Sequence, residues 1–272
     1  MLDLRTDSYG VTTQKLRDFG KRVGFNADSH IYSFDGRALC SCTTMISRWF
    51  PAFDSRGISE RSAKKKLGDD AGRGQIMAFA KELRATWKAK AQLGTDIHNF
   101  SEAMLWDCFF DYDDNIIRFS NRLSLSLDED VDYYLKVGAV NFVLDNPEVI
   151  KNLIATEQTV WSNKFCVAGQ IDFITRNEDG SLDLWDWKTN STKPNKNATY
   201  GKHGFGVLAN TNATPYWKYA LQLSTYKFLL EAEGFKVRDL HLVWICDLGS
   251  NEIIDVPYMA DEVRLMLEQN VE

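Results

Sequence analysis

From about residue 152 the chain shifts from helical spacing to three short apolar runs, NLIATEQTVWS, KFCVAGQIDFITR and SLDLWDWKT, the last two joined by the tight turn NEDG. A meander with so short a turn fixes which residues face each other. With the turn centred on Asp179, Asp172 faces Asp186, Ile174 faces Leu184 and Gln170 faces Lys188. Opposed residues share a face with Cβ atoms roughly 4.5–5.5 Å apart, as do positions i and i+2 on one strand. Asp172, Asp186 and Lys188 are therefore expected on one patch. Two carboxylates so close, in a segment otherwise built for burial, repel each other unless a cation lies between them. An all-oxygen pair of this kind suits Mg²⁺ or Mn²⁺, leaving positions open for water and a substrate phosphate. Lys188 would then orient or deprotonate an attacking water, or stabilise charge on the phosphate. Taken alone, D-x-K is a weak signal, and an ordinary ion pair on a solvent-facing strand is its commoner explanation.

The rest of the chain supplies helices and connections. HIYSFDGRALCSCTT carries Asp35-Gly36 between alternating segments, a β-hairpin signature, and Thr43 or Thr44 is expected to cap a short helix, MISRWF, that ends by Pro51. Residues 75–109 have helical spacing interrupted by Gly94, which predicts two consecutive helices or one kinked helix. DYDDNIIRFSNRLSLSLDED is acidic and irregular, read as a loop or insertion before a helix at about 131–145. Residues 190–215 form a polar stretch expected to lack regular structure. An amphipathic helix, PYWKYALQLSTYKFLLEAEG, follows, then the strands LHLVWICDL and IIDVPYM and a C-terminal helix. No linker interrupts the pattern. One domain over 1–272 is expected, with a hairpin and helical region at about 28–110 and a core at about 150–260.

A net charge of −6 argues against coating nucleic acid by bulk attraction, but the charge is unevenly spread. Residues 61–100 carry nine Lys/Arg against four Asp/Glu, residues 187–240 eight against three, and residues 101–150 three against eleven. Basic stretches separated by an acidic one could line a positive groove, although solvated faces would give the same counts. Five scattered cysteines without a CxxC pair suit a reducing compartment. The start MLDLRTDSYG has no secretory character, and no apolar run is long enough for a span, so an intracellular protein with no membrane partner is expected.

Four of these segments together resemble the PD-(D/E)XK nuclease superfamily in its RecB-like branch. That branch's G-x-x-D is matched by GQID at 169–172, its D-x-K by DWK at 186–188, its Q-x-x-x-Y by QLSTY at 222–226 and its upstream G-T-x-x-H by GTDIH at 94–98. The hairpin with its S-x-T, at Ser41 and Thr43, is similar to phage-encoded members and to the mitochondrial genome maintenance exonuclease. The resemblance implies a restriction-endonuclease-like α/β fold, a central mixed β-sheet flanked by helices. It implies metal ligation by His98, Asp172, Asp186 and the backbone carbonyl of Trp187, with Lys188 as the catalytic lysine and Gln222 and Tyr226 on the helix that faces substrate. Glu157 matches an acidic position on the preceding strand. Glu102, one turn beyond His98, is an auxiliary candidate or simply its hydrogen-bond partner.

Each match also has a plainer account. His98 could be a partly buried histidine, Gln222 and Tyr226 a polar pair on a packed helix, and Ser41 and Thr43 helix caps rather than phosphate ligands. The second acid is Asp where relatives often use Glu. With only Cys246 beyond the core, no iron–sulfur cluster is expected. The combined expectation is a Mg²⁺- or Mn²⁺-dependent DNA exonuclease acting on single-stranded or end-bearing DNA. Basic residues at 61–90 and Lys193 in the 190–215 loop would hold the backbone, and exposed members of Trp49, Trp87 and Trp217 would stack on bases. An endonuclease on the same site and a catalytically silent DNA-binding module are the alternatives.

Overall fold

The computed structural model describes residues 7–26, 31–124 and 131–270. In chain order the elements are α1 (Asp7–Gly20), β1 (Gly24–Asn26), β2 (Ile31–Phe34), β3 (Arg37–Ser41), α2 (Cys42–Ser47), α3 (Ser55–Leu67), α4 (Arg73–Phe110), α5 (Tyr112–Ser124) and α6 (Val131–Asp145). There follow α7 (Pro147–Lys151), β4 (Leu153–Ser162), β5 (Val167–Arg176), β6 (Leu182–Lys188), α8 (Pro215–Ala232), β7 (Val237–Ile245), β8 (Asn251–Asp255) and α9 (Ala260–Gln269). The eight strands form one mixed sheet in the order β1-β2-β3-β5-β6-β7-β8, with β4 pairing β5. This is the mixed α/β architecture expected of a restriction-endonuclease-like fold.

Alternation along β6 and β7 shows why both faces are covered. Leu182, Leu184, Leu240 and Leu242 join a core with α2, α8 and α9, while Trp185, Trp187, Val243 and Ile245 join a second core with α4, α5 and α6. Side chains at period two must point to opposite faces, so a strand apolar at every position needs helices on both sides. Phe142, Phe173, Trp185 and Trp187 form a continuous aromatic cluster on the second face, with centroid separations of 5.0–6.2 Å. Each such pair adds about 0.5–1.5 kcal/mol beyond area burial.

The Asp35-Gly36 turn joins β2 to β3 with φ of 48° and 74°, the left-handed pair that a two-residue hairpin requires. Residues 73–110 make one 38-residue helix rather than two. The acidic segment after it is also helical: Ile116 and Phe119 are buried in the second core, and Asp113 and Asp114 fall in the first turn, where the helix dipole favours acids. The stretch at 125–130, the end of the predicted loop, lies outside the described residues. Ser41, not Thr43 or Thr44, caps α2, its Oγ accepting from the Thr44 N–H at 3.1 Å. Helix α8 is not amphipathic but buried nearly all round, Ser224, Thr225 and Lys227 included. The polar stretch before it is partly ordered by a 3₁₀ turn at Gly206–Leu208 and by Phe205, whose N–H donates to the Trp49 carbonyl at 2.7 Å. Among the described residues no helix is long and apolar enough to cross a membrane.

Candidate active site

The β5–β6 pairing runs Arg176↔Leu182, Thr175↔Asp183, Ile174↔Leu184 and Phe173↔Trp185, the register read from the turn. There the ladder stops. On the same edge of β5, strand β3 takes over only at Val167 and Ala168, so residues 169–172 have an unpaired edge. Asp172 and Asp186 are the first positions past the end of the β5–β6 ladder. The Trp187 N–H donates to Asp172 Oδ2 at 2.7 Å. A carboxylate has replaced a carbonyl as its acceptor, and the gap between the strands opens as a cleft of about 990 Å³.

His98, Asp172, Trp187 and Lys188 line that cleft with Gln222, Tyr226, Ser41 and Thr43, as do Glu102 and Glu157. Asp186 lies just beneath, 2% exposed, in an ion pair with the Lys188 ammonium. Its Oδ2, sealed from water, is the atom that meets that ammonium. Lys188 rests over the Tyr219 ring at 4.4 Å, and the Tyr219 hydroxyl donates to Asn190 Oδ1 at 2.9 Å. His98 Nδ1 is 3.3 Å from Asp172 Oδ2. Gly94, one turn earlier on α4, lets that helix pass close to the end of β6: a Cβ there would sit 3.2 Å from Thr189 Oγ1.

Glu157 stands opposite Asp172, between the pairs Thr156↔Phe173 and Gln158↔Ile171. Its φ is +46°, a left-handed conformation that costs a non-glycine residue about 1 kcal/mol or more. Its carbonyl accepts from Gln170 Nε2 at 3.0 Å. The strand is thus distorted where its carboxyl meets Asp172. Burial first, then the Asp172 and Glu102 charges, push the Glu157 carboxyl up to about 8. Burial and Asp172 likewise push Asp186 upward against the pull of Lys188. Asp172 goes the other way: burial would raise it, but His98, Lys188 and the Trp187 N–H together lower it. Burial is the largest influence on Lys188 and would lower it, but Asp186, Tyr219 and Asp172 together outweigh it and raise the ammonium.

Gln222 and Tyr226 divide the work expected of both. Tyr226 is 2% exposed, and its hydroxyl accepts from Gln222 Nε2 at 2.9 Å, so Tyr226 aims Gln222 rather than reaching far into the cleft. Gly169 makes room for it. A Cβ at 169 would lie 2.5 Å from Tyr226 Cε1 and 3.0 Å from Cys42 Sγ, distances that packed atoms do not adopt. Lys193 does not line the cleft; it is ion-paired with Glu252 on β8. Ser41 is occupied as a cap, although it and Thr43 face the cleft.

Four carboxyls and a histidine around one lysine leave an excess of anionic oxygen donors. That donor set fits a hard divalent cation. His98, Asp172 and Asp186 do not present donor atoms all within 4.8 Å of one another; Asp172 is turned toward His98 and Asp186 toward Lys188. Among the described residues the group that does meet that spacing, and could hold a metal ion, is Asp183, Asp239 and His241. It was not evident in the sequence, because it depends on a break in the β6–β7 register between Leu182 and Leu184. Its donors are already engaged. Asp183 accepts from Arg238 Nη2 at 2.9 Å and the Asp239 N–H at 3.1 Å, and His241 Nδ1 is 2.7 Å from Asp255 Oδ1 with its ring stacked on Trp185.

Residues 132–253 match the family model of the PD-(D/E)XK nuclease superfamily. No curated protein matches the chain. The matched region contains Glu157, Asp172, Asp186, Lys188, Gln222 and Tyr226 and stops short of His98, Glu102, Ser41 and Thr43. Members of that superfamily are generally metal-dependent nucleases, so the match points to a nuclease with a nucleic-acid substrate.

Proposed function

We propose that the protein is a divalent-metal-dependent DNA exonuclease of the RecB-like type, a single domain over 1–272 that acts inside the cell on single-stranded or end-bearing DNA. One observation carries this reading: Asp172, Asp186 and Lys188 converge at the splayed end of β5 and β6, with His98 arriving from α4. His98, Asp172, Asp186 and the Trp187 carbonyl would hold Mg²⁺ or Mn²⁺, with Glu157 and Glu102 in reserve around it. Bound there, the ion would polarise a phosphoryl oxygen and offset the charge that builds up in the transition state. The chain's own groups supply the rest. Lys188 would donate from its ammonium to the attacking water or to a non-bridging oxygen. Gln222, aimed by Tyr226, would position the backbone beside the cleft, and Trp187 and Asp186 would keep bulk water from the far side of the carboxylates.

Basic residues on α3 and the first half of α4 would hold the strand by phosphate contacts, giving binding that weakens steeply with salt. The test is cleavage of 5′- and 3′-labelled single- and double-stranded DNA with Mg²⁺, Mn²⁺ or EDTA, beside Asp186→Ala and Lys188→Ala. Metal-dependent release from an end, lost in both variants, is expected. Equal cutting by either variant would overturn the site assignment, and degradation of a covalently closed circle would replace the exonuclease with an endonuclease.

A further inference from the structure

Helix α4 is two different objects along its length. Its second half carries Ile97, Ser101, Met104, Leu105 and Cys108 into the core, whereas its first half buries only Ala80. That first half packs against α3, where Ser59 and Ala63 are the buried positions and Arg84 Nη1 donates to Ser59 Oγ at 2.6 Å. The resulting helical hairpin is strongly basic: residues 55–90 hold ten Lys/Arg and four Asp/Glu in a chain whose net charge is −6.

At its root sits an aromatic pair that the fold does not need. Phe53 is 68% exposed and meets the half-buried Trp87 edge-on, with ring centroids 5.6 Å apart. Neither ring belongs to either hydrophobic core. Trp87 lies eleven residues before His98 in one continuous helix, which turns it to within about 20° of the same face and about 16 Å away along the axis. Between them Lys90, Ala91, Gly94 and Thr95 line the cleft, and Lys90 Nζ is 3.2 Å from Ser191 Oγ. The cleft floor therefore runs along α4 from His98 to within one turn of Trp87. The other aromatics named in the sequence are used elsewhere: Trp49 and Trp217 both pack against the main core.

We propose that Phe53 and Trp87 form a nucleobase-stacking platform that takes an unpaired base of the DNA strand whose backbone runs along α4 into the cleft. This deepens the nuclease reading and rests on it for the identity of the strand. The spacing places the stacked base within about five nucleotides of the reacting phosphate at 3.4 Å per stacked nucleotide. A paired base keeps its faces covered by its neighbours in the duplex, so the platform selects single-stranded substrate at that point. The surrounding lysines and arginines hold phosphates without regard to pairing.

The experiment measures binding in EDTA, so that cleavage plays no part, using a labelled oligothymidylate and a set of copies with one abasic position moved along the strand. Base–aromatic stacking is worth about 1–3 kcal/mol per base, so the Phe53→Ala/Trp87→Ala double variant should bind the intact strand roughly 5- to 150-fold more weakly. Duplex binding should stay within about 2-fold. In the parent one abasic position should carry a comparable penalty, and in the double variant that penalty should vanish. Trp87→Phe should recover most of the affinity, which a merely misfolded hairpin would not allow. Unchanged affinity, an abasic penalty that persists in the double variant, or equal weakening on duplex and single strand would overturn the platform. Failure of the nuclease reading shows separately, as binding with an abasic penalty but no metal-dependent cleavage.

Discussion

The two ends of β6 hold acidic clusters of similar composition and opposite character. At one end Asp183 and Asp239 share a neighbourhood with His241, and each charge has a partner: Arg238 bridges both aspartates and Asp255 takes the imidazole. At the other, Asp172, Asp186, Glu157 and Glu102 surround Lys188 and His98, and the charges do not balance. Interatomic spacing alone favours the first cluster as an ion site. The state of the donors favours the second. A closed network holds β7 against β6, whereas the surplus carboxylates of the cleft, Glu157 among them driven toward neutrality, carry charge that a bound cation would offset.

Exchanging the two ends experimentally gives the largest expected effect. Asp186→Asn removes a negative donor with little change of shape and should lower the cleavage rate by roughly 10³-fold. Asp183→Asn should leave the rate within a few-fold. The same pair should separate in metal binding followed by thermal melting. Mn²⁺ at a hundred times its dissociation constant should stabilise the parent by about 2.7 kcal/mol, an effect kept in Asp183→Asn and lost in Asp186→Asn. The reverse pattern would move the metal to the Asp183 end. Asp183→Asn should instead lower stability by about 1–3 kcal/mol, toward the smaller figure because Arg238 is half exposed. Urea melts of the metal-free protein would measure it.

That comparison also shows what a sequence can carry. The register opposing Asp172 to Asp186 was legible because it rests on a local turn and a period-two pattern, both short-range signals. So were the β2–β3 hairpin and the helix at Val131–Asp145. Helix α5 was hidden because acids crowd its start and follow its end, at Asp111, Asp113, Asp114 and 128–130, while Ile116 and Phe119 are its deeply buried residues. Lys193 looked like a phosphate contact because its partner, Glu252, is 59 residues away. The left-handed Glu157 could not be read from residue type, since glutamate has no preference for that conformation. Nor could the Asp183 network, whose members meet only through an irregularity between parallel strands. Helix α1, whose Leu16 and Phe19 reach the core, had no strong start or stop signal.

A smaller test probes how the cleft is built. Gly169→Ala forces a methyl into the space of the Tyr226 ring, so Gln222 should lose its aim. Overpacking of this kind costs about 1–3 kcal/mol. Tyr226→Phe removes only the hydroxyl that accepts from Gln222 and should raise KM by a few-fold with stability nearly unchanged. If the two variants have the same KM and kcat as the parent, Gln222 is held by something other than Tyr226. At the Asp183 end an equivalent pair of substitutions should change stability without changing KM.

The smallest expected effect distinguishes the ends by the sign of their response to pH. Glu157 has its carboxyl raised from an ordinary 4.5 to about 8, so between those values the folded protein holds a proton that the unfolded chain releases. Its contribution to stability is therefore full below 4.5 and is lost as pH rises toward 8. Asp179, in the turn at the opposite end of the hairpin, is depressed first by its hydrogen bond from Lys236 and then by those from Ser181. Its contribution is present above its ordinary value of 3.8 and is lost only as pH falls below it. Melting the metal-free protein across both ranges should show stability declining toward neutral pH in the parent, a decline flattened in Glu157→Gln and by added Mn²⁺. Asp179→Asn should alter only the acid limb. A neutral-range slope that Mn²⁺ leaves untouched would mean that Glu157 takes its proton for reasons unrelated to an ion, and that the cleft carboxyls are as self-contained as those around Asp183.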